Sequence, residues 1–203
     1  MSNIVLKGST SGDVTISVPA EAGSNTLTIP ASTGEMLTTV STSSNVIPTI
    51  NNATAVATTS GTAVDFTSIP SGVKKITVLF NQVKTSAAGL RFIQIGTSGG
   101  LVTSGYISAG AYAGPATAGA QSTAGFIIGA GGATADKTVG TATIQTLGSN
   151  TWVFSATVSD GVASYAKMGG GSITLGAVLD RIRVTNVAGQ TFDHGSVNIA
   201  WEY

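Results

Sequence analysis

Trp152-Val153-Phe154-Ser155-Ala156-Thr157-Val158-Ser159-Asp160-Gly161 decides the fold of this chain. Trp152, Phe154, Ala156 and Val158 occupy every second position, and Asp160-Gly161 then supplies a turn signal. A period of two sends alternate side chains to opposite faces of an extended strand, so one face is apolar and the other mostly Ser and Thr.

The same pattern recurs on both sides of this stretch. In Lys75 to Asn81, Ile76, Val78 and Phe80 share one face, while Lys75, Thr77, Leu79 and Asn81 share the other. Ile182 and Val184 oppose Arg181 and Arg183; Val197, Ile199, Trp201 and Tyr203 oppose Asn198, Ala200 and Glu202. No window of 11 residues carries a helical stripe. One dry and one wet face per strand is what an antiparallel sandwich requires, with Trp152 and Trp201 in its core. The 27 glycines, the abundance of Thr, Ser and Ala, and the scarcity of strong helix formers agree with this reading.

Upstream, Ile4 to Leu6, then Val14, Ile16 and Val18, then Thr26 to Ile29 read as short strands separated by turns, with stops at Pro19 and Pro30. Such strands cannot stand alone and need a partner surface. The Thr/Ser-rich stretch from Thr38 to Ser44 and the extended-backbone signal Ile47-Pro48 read as a linker. The expected class is therefore all-β: an N-terminal β-strand arm over residues 1–40, a linker over 41–54, and an antiparallel jelly-roll-like β-sandwich over 55–203. Between Gly96 and Asp136, Gly and Ala dominate; Tyr106, Tyr112 and Phe126-Ile127-Ile128 mark this segment as strands joined by long small-residue loops.

Only 9% of the 203 residues are charged, against roughly a quarter in an ordinary soluble domain. A surface so poor in ions is covered either by Ser and Thr or by other copies of the protein. Net charge is zero and the cations are scattered, which argues against nucleic acid as a partner. The apolar runs are too short for a membrane helix, so no membrane insertion is expected, and the N-terminus lacks the apolar core of a secretion signal. Cysteine is absent, which excludes disulfides and thiolate metal sites and fits assembly in a reducing cytoplasm.

Motifs for chemistry are few. Gly96-Thr97-Ser98-Gly99-Gly100 matches the nucleophile-elbow pattern, but the elbow needs a following helix and none is expected. A triad of Ser98, His194 and an acid is formally available; an exposed turn histidine is the preferred reading. The nine acidic residues show neither calcium-loop nor glycosidase spacing. Asp180 with Arg181 and Arg183 can form ion pairs that fix strand register. Tyr106, Tyr112 and Tyr165, in Gly/Ala-rich surroundings, suit either a subunit interface, which is preferred, or sugar stacking. Asn52-Ala53-Thr54 fits a glycosylation pattern that stays idle without secretion. No catalytic, cofactor or metal residue is expected.

Leu6-Lys7-Gly8-Ser9-Thr10-Ser11-Gly12-Asp13-Val14-Thr15-Ile16, followed by Pro19-Ala20 and by Thr26-Leu27-Thr28-Ile29-Pro30-Ala31-Ser32-Thr33-Gly34, resembles a segment common in virion structural proteins of tailed bacteriophages, often described as tail-fibre-like. The stretch from Ser60 to Ile76 and Val178-Leu179-Asp180-Arg181-Ile182-Arg183-Val184 are also similar to these proteins. The resemblance implies a non-enzymatic, homotrimeric component of the particle exterior, attached through residues 1–40 to major capsid or tail proteins. Long host-reaching fibres carry heptads or repeats, and this chain has neither. That favours a capsid decoration protein, a knob or cement on the shell, over a short tail fibre with a receptor-binding or glycan-binding head. A hydrolase of host surface sugars or esters ranks last.

Overall fold

The computed structural model describes residues 3–7, 10–17, 50–114, 117–129, 136–161, 165–187 and 190–203. Its regular elements are all β-strands among these residues, and every pairing is antiparallel. The chain divides into two compact units, Met1–Val46 and Ile47–Tyr203.

In the first unit, β1 (Asn3–Lys7) and β2 (Asp13–Ser17) form a hairpin in register from Asn3↔Ser17 to Lys7↔Asp13. Gly12, at φ 84°, supplies the left-handed turn residue just before β2. Lys7 Nζ bonds Asp13 Oδ2 across the hairpin at 3.0 Å, an exposed pair. The expected strand at Thr26 to Ile29, both prolines of the arm and the start of the linker lie outside the described residues.

The second unit is a sandwich. Its larger sheet holds β3 (Asn51–Asn52), β4 (Val56–Ala57), β6 (Lys75–Thr85), β9 (Ile107–Ala113), β10 (Ala118–Ser122), β12 (Thr138–Gly148), β13 (Thr151–Asp160), β14 (Ala166–Thr174) and β16 (Phe192–Glu202). The order is β10-β9-β14-β13-β12-β6-β16-β3, with β4 also on β16. The smaller sheet orders β11 (Phe126–Gly129), β7 (Arg91–Thr97), β15 (Leu179–Asn186) and β5 (Ala63–Phe66), with β8 (Gly100–Leu101) returning on β7. Asn51 and Asn52 pair with Trp201 and Ala200. The large sheet thus reaches into the expected linker, because β16 extends far enough to offer a ladder to that segment.

The alternation read from the sequence is the burial pattern observed. Trp152, Phe154, Ala156, Val158, Ile76, Val78, Phe80, Ile182, Val184, Val197 and Ile199 all lie in the core, whereas Trp201 is only partly buried and Tyr203 is exposed. Phe126 of the small sheet stacks on Phe154 of the large one, centroids 4.7 Å apart. The sheets come close where β11 packs on β14. A Cβ on Gly169 would collide with the Ile127 carbonyl, so glycine is required there. Ser108 Oγ stitches the same place, accepting from Ile127 N at 2.9 Å and donating to Gly170 O at 3.3 Å.

Candidate functional site

The outward face of the large sheet separates this molecule from an ordinary sandwich. Cross-strand register aligns Thr143, Ser155, Gly170, Ala109 and Gln121 in one row. A second row aligns Thr141, Thr157, Met168, Ala111 and Gly119. From β12 across β13, β14 and β9 to β10, no outward position of these strands carries an ionisable side chain. The charges on this sheet's outward side stand at its other end and are paired: Lys75 with Glu202 at 2.8 Å, and Lys84 with Asp193 at 3.0 Å.

Large apolar groups are displayed on this face. Ile107 is 75% exposed, Leu147 77% and Met168 51%, with Val153 and Leu79 partly open beside them. Around Gly170, Ala109 and Gly171 no long side chain rises from the sheet, leaving a trough of about 590 Å³ walled by Ile107, Gln121 and Ser122. The opposite outer surface, on the small sheet, is built differently. Asp65 and Arg183 face each other in register and bond twice, Nε to Oδ1 at 2.6 Å and Nη2 to Oδ2 at 2.7 Å. The hydrogen bond to Asp65 raises the Arg183 pKa against a smaller opposing effect of burial. Arg181 Nε bonds Asp180 Oδ1 at 2.6 Å. One outer face is ionic and water-facing; the other lacks ions.

The elbow motif does not assemble a catalytic site. Gly96 to Gly100 forms the β7–β8 hairpin turn, and Ser98 offers its backbone carbonyl to Arg181 Nη2 at 3.3 Å. His194 is not in a turn before the last strand as expected but within β16, next to the bulge at Gly195, with Nε2 3.4 Å from Gln82 Oε1. No hydrogen bond joins Ser98 to His194 among the described residues.

Tyr106 corrects the expectation of an interface or sugar-stacking residue. It is 1% exposed, its ring meets Phe126 edge-on at 4.9 Å, and its hydroxyl accepts from Ile95 N at 2.8 Å and can donate to Val102 O at 2.9 Å. Burial pushes its pKa up to about 12, against the opposing hydrogen bond from Ile95. Tyr112 and Tyr165 turn toward each other, edge to face at 5.2 Å.

A buried ionic cluster went unread in the sequence. Arg91 on β7, Asp136 just before β12 and Lys167 on β14 are almost fully enclosed. Asp136 Oδ2 contacts both Lys167 Nζ and Arg91 Nη1, the latter at 3.1 Å. Arg91 also donates to Thr138 Oγ1 and Thr85 Oγ1, each at 3.2 Å. Nothing in the spacing of these residues announces a cluster, since three separate strands and loops bring them together. No group of three or more His, Cys, Asp or Glu side chains suited to a metal ion occurs among the described residues.

No protein-family model, curated protein or solved structure matches the chain.

Proposed function

We propose that this chain is a non-enzymatic structural protein of the exterior of a tailed bacteriophage, a homotrimeric capsid decoration protein whose large-sheet face is covered in the assembled particle. The observation that carries the reading is the contrast between the two outer faces. A sheet face left to water is normally populated by Lys, Glu and Arg, as the small sheet is by Arg181, Arg183, Asp65 and Asp180. The face from β12 to β10 instead shows Thr, Ser, Ala and Gly with exposed Ile107, Leu147 and Met168. Five strands at about 4.8 Å spacing and a mean strand length of about 28 Å give this face on the order of 700 Å², the scale of one partner's share of a protein interface. Burying it contributes roughly 25 cal/mol per Å² of apolar area without the cost of desolvating ions.

The arm's resemblance to phage virion proteins supplies the rest, with residues 1–40 as the attachment. The test is to locate the chain on intact particles and to delete residues 1–40. Decoration requires the chain on the head, lost from particles after the deletion while the remaining sandwich stays folded and trimeric. A chain found on the tail fibre tip, or particles fully occupied by the deleted form, overturns the assignment.

A further inference from the structure

We propose that Lys167 and Asp136 condense to an intramolecular amide, a covalent cross-link inside the sandwich. This inference stands independently of the assembly reading and rests on the interior geometry. The Lys167 side chain is 5% exposed and that of Asp136 0%, and Nζ lies directly against Oδ2. The stem of Lys167 occupies the space left by the missing side chain of Gly129, which holds the amine on its course. Two reacting groups fixed by surrounding strands meet at a high effective concentration, with the orientational entropy already spent in folding. Their burial keeps both groups from bulk water, whose excess drives the reverse hydrolysis.

A second buried carboxylate completes the arrangement. Asp160, at the end of β13, donates its backbone N–H to the Tyr165 carbonyl at 3.0 Å. Lys167, two residues beyond Tyr165 on β14, pairs with Val158 and is therefore the diagonal neighbour of Asp160, and both are buried. Asp160 Oδ1 is anchored by the Lys137 backbone N–H at 3.3 Å. The register thus places a second carboxylate, Asp160, diagonally beside the Lys167 of the Arg91, Asp136 and Lys167 cluster.

The step balances without any further reactant. Asp160 takes a proton from the Lys167 ammonium, and the freed lone pair attacks Cγ of Asp136 to form the N–C bond. Negative charge then collects on the carboxyl oxygens, where Arg91 Nη1 donates to Oδ2 and stabilises it. One C–O bond breaks, and its oxygen leaves as water with two protons that began on the ammonium, one of them returned through Asp160. An ammonium and a carboxylate become an amide and water. Four buried charges become two, Arg91 and Asp160, which lowers the desolvation cost of the interior. A chain with no cysteine gains in this way a covalent tie that reducing conditions cannot break.

The experiment is the intact mass of the full purified chain under denaturing conditions, followed by a tryptic digest. The parent is expected lighter than its sequence mass by one water, with the peptide ending at Lys137 joined to one that spans an uncut Lys167. Lys167→Met and Asp136→Ala are expected at full sequence mass. Asp160→Asn keeps the oxygen that holds Lys137 N–H but cannot carry the proton, so it should emerge largely unlinked and convert far more slowly. A parent at full sequence mass overturns the proposal even if the variants fail to fold. So does a water loss without the joined peptides, as a succinimide would give; an Asp160→Asn chain linked as fast as the parent removes Asp160 from the chemistry.

Discussion

Phe126 and Phe154 lie parallel within 6°, centroids 4.7 Å apart, one ring from each sheet. Tyr106 meets the first of them edge-on, so three aromatic rings bridge the layers at the β11 end of the sandwich. Phe154→Ala removes the ring against which the small sheet rests, in a region too tightly packed to collapse around the gap. A loss of about 3–5 kcal/mol is expected, read as a lower denaturant midpoint with an unchanged slope.

Neighbouring glycines on β14 should respond unequally to the same substitution. Gly169 faces inward, where an added methyl strikes the Ile127 carbonyl; Gly170 faces outward, where its nearest neighbour is the Phe154 carbonyl oxygen at 3.9 Å. Gly169→Ala is expected to cost about 1–3 kcal/mol through overpacking, while Gly170→Ala stays within about 0.5 kcal/mol. Thermal melting of the two variants side by side checks this, and equal effects would contradict the observed sheet separation.

The division between inward and outward positions was legible because period-two alternation is a local property. Trp152 to Val158 and Ile76 to Phe80 state it within one strand each. What the sequence could not state was non-local. Asn51 and Asn52 carry no strand signal of their own and pair only because β16 is available beside them. Tyr106 sits among Gly and Ser in sequence, yet the carbonyls and amide that satisfy its hydroxyl come from β7 and the segment after β8. The same holds for Arg91, Asp136 and Lys167, each unremarkable in its own stretch. The charge-free outer face needed strand order to be seen, since five strands from separate parts of the chain compose it.

The two kinds of ion pair predict very different costs of removal. Asp65 and Arg183 are both partly exposed, so Asp65→Asn should change stability by about 1 kcal/mol or less despite the twofold bond. Arg91→Met takes a buried donor from the Asp136 side chain, whether free or joined to Lys167, and from the Thr85 and Thr138 hydroxyls; a loss of about 3–5 kcal/mol is expected. Urea unfolding of both variants at neutral pH and at two salt concentrations separates them, with salt sensitivity confined to the exposed pair.

Tyr106 gives the stability a defined alkaline limit. Its folded pKa of about 12 lies above the ordinary 10.0, so in that window the unfolded chain loses the phenolic proton while the folded chain keeps it. The unfolded state then binds fewer protons, and stability falls as pH rises from 10 to 12, by about 3 kcal/mol at most from this group. Below pH 10 the contribution is intact. Tyr106→Phe should be the weaker protein at pH 8, because Ile95 N loses its acceptor, yet the gap between variant and parent should narrow steadily above pH 10. A gap that stays constant to pH 12 would show that the hydroxyl does not resist ionisation in the fold.

The outer face of the large sheet can be tested without disturbing the interior. Thr143 and Ser155 are register partners on β12 and β13, both outward, at the β12 end of a charge-free row. Replacing both with Glu places two like charges about 5 Å apart, where water can solvate them in the free chain but not beneath a covering subunit. The double variant should keep a melting transition within a few degrees of the parent, since outward substitutions on a strand cost little beyond modest cross-strand repulsion. The self-association proposed above should be lost, and sedimentation at matched concentrations would read this as a fall from the proposed trimer to monomer. As a control, Asp65→Lys on the opposite, ionic face should leave the oligomer intact. If the double variant sediments as the parent does, the uncharged face is open to solvent in the assembly, and the low charge of this chain requires another cause.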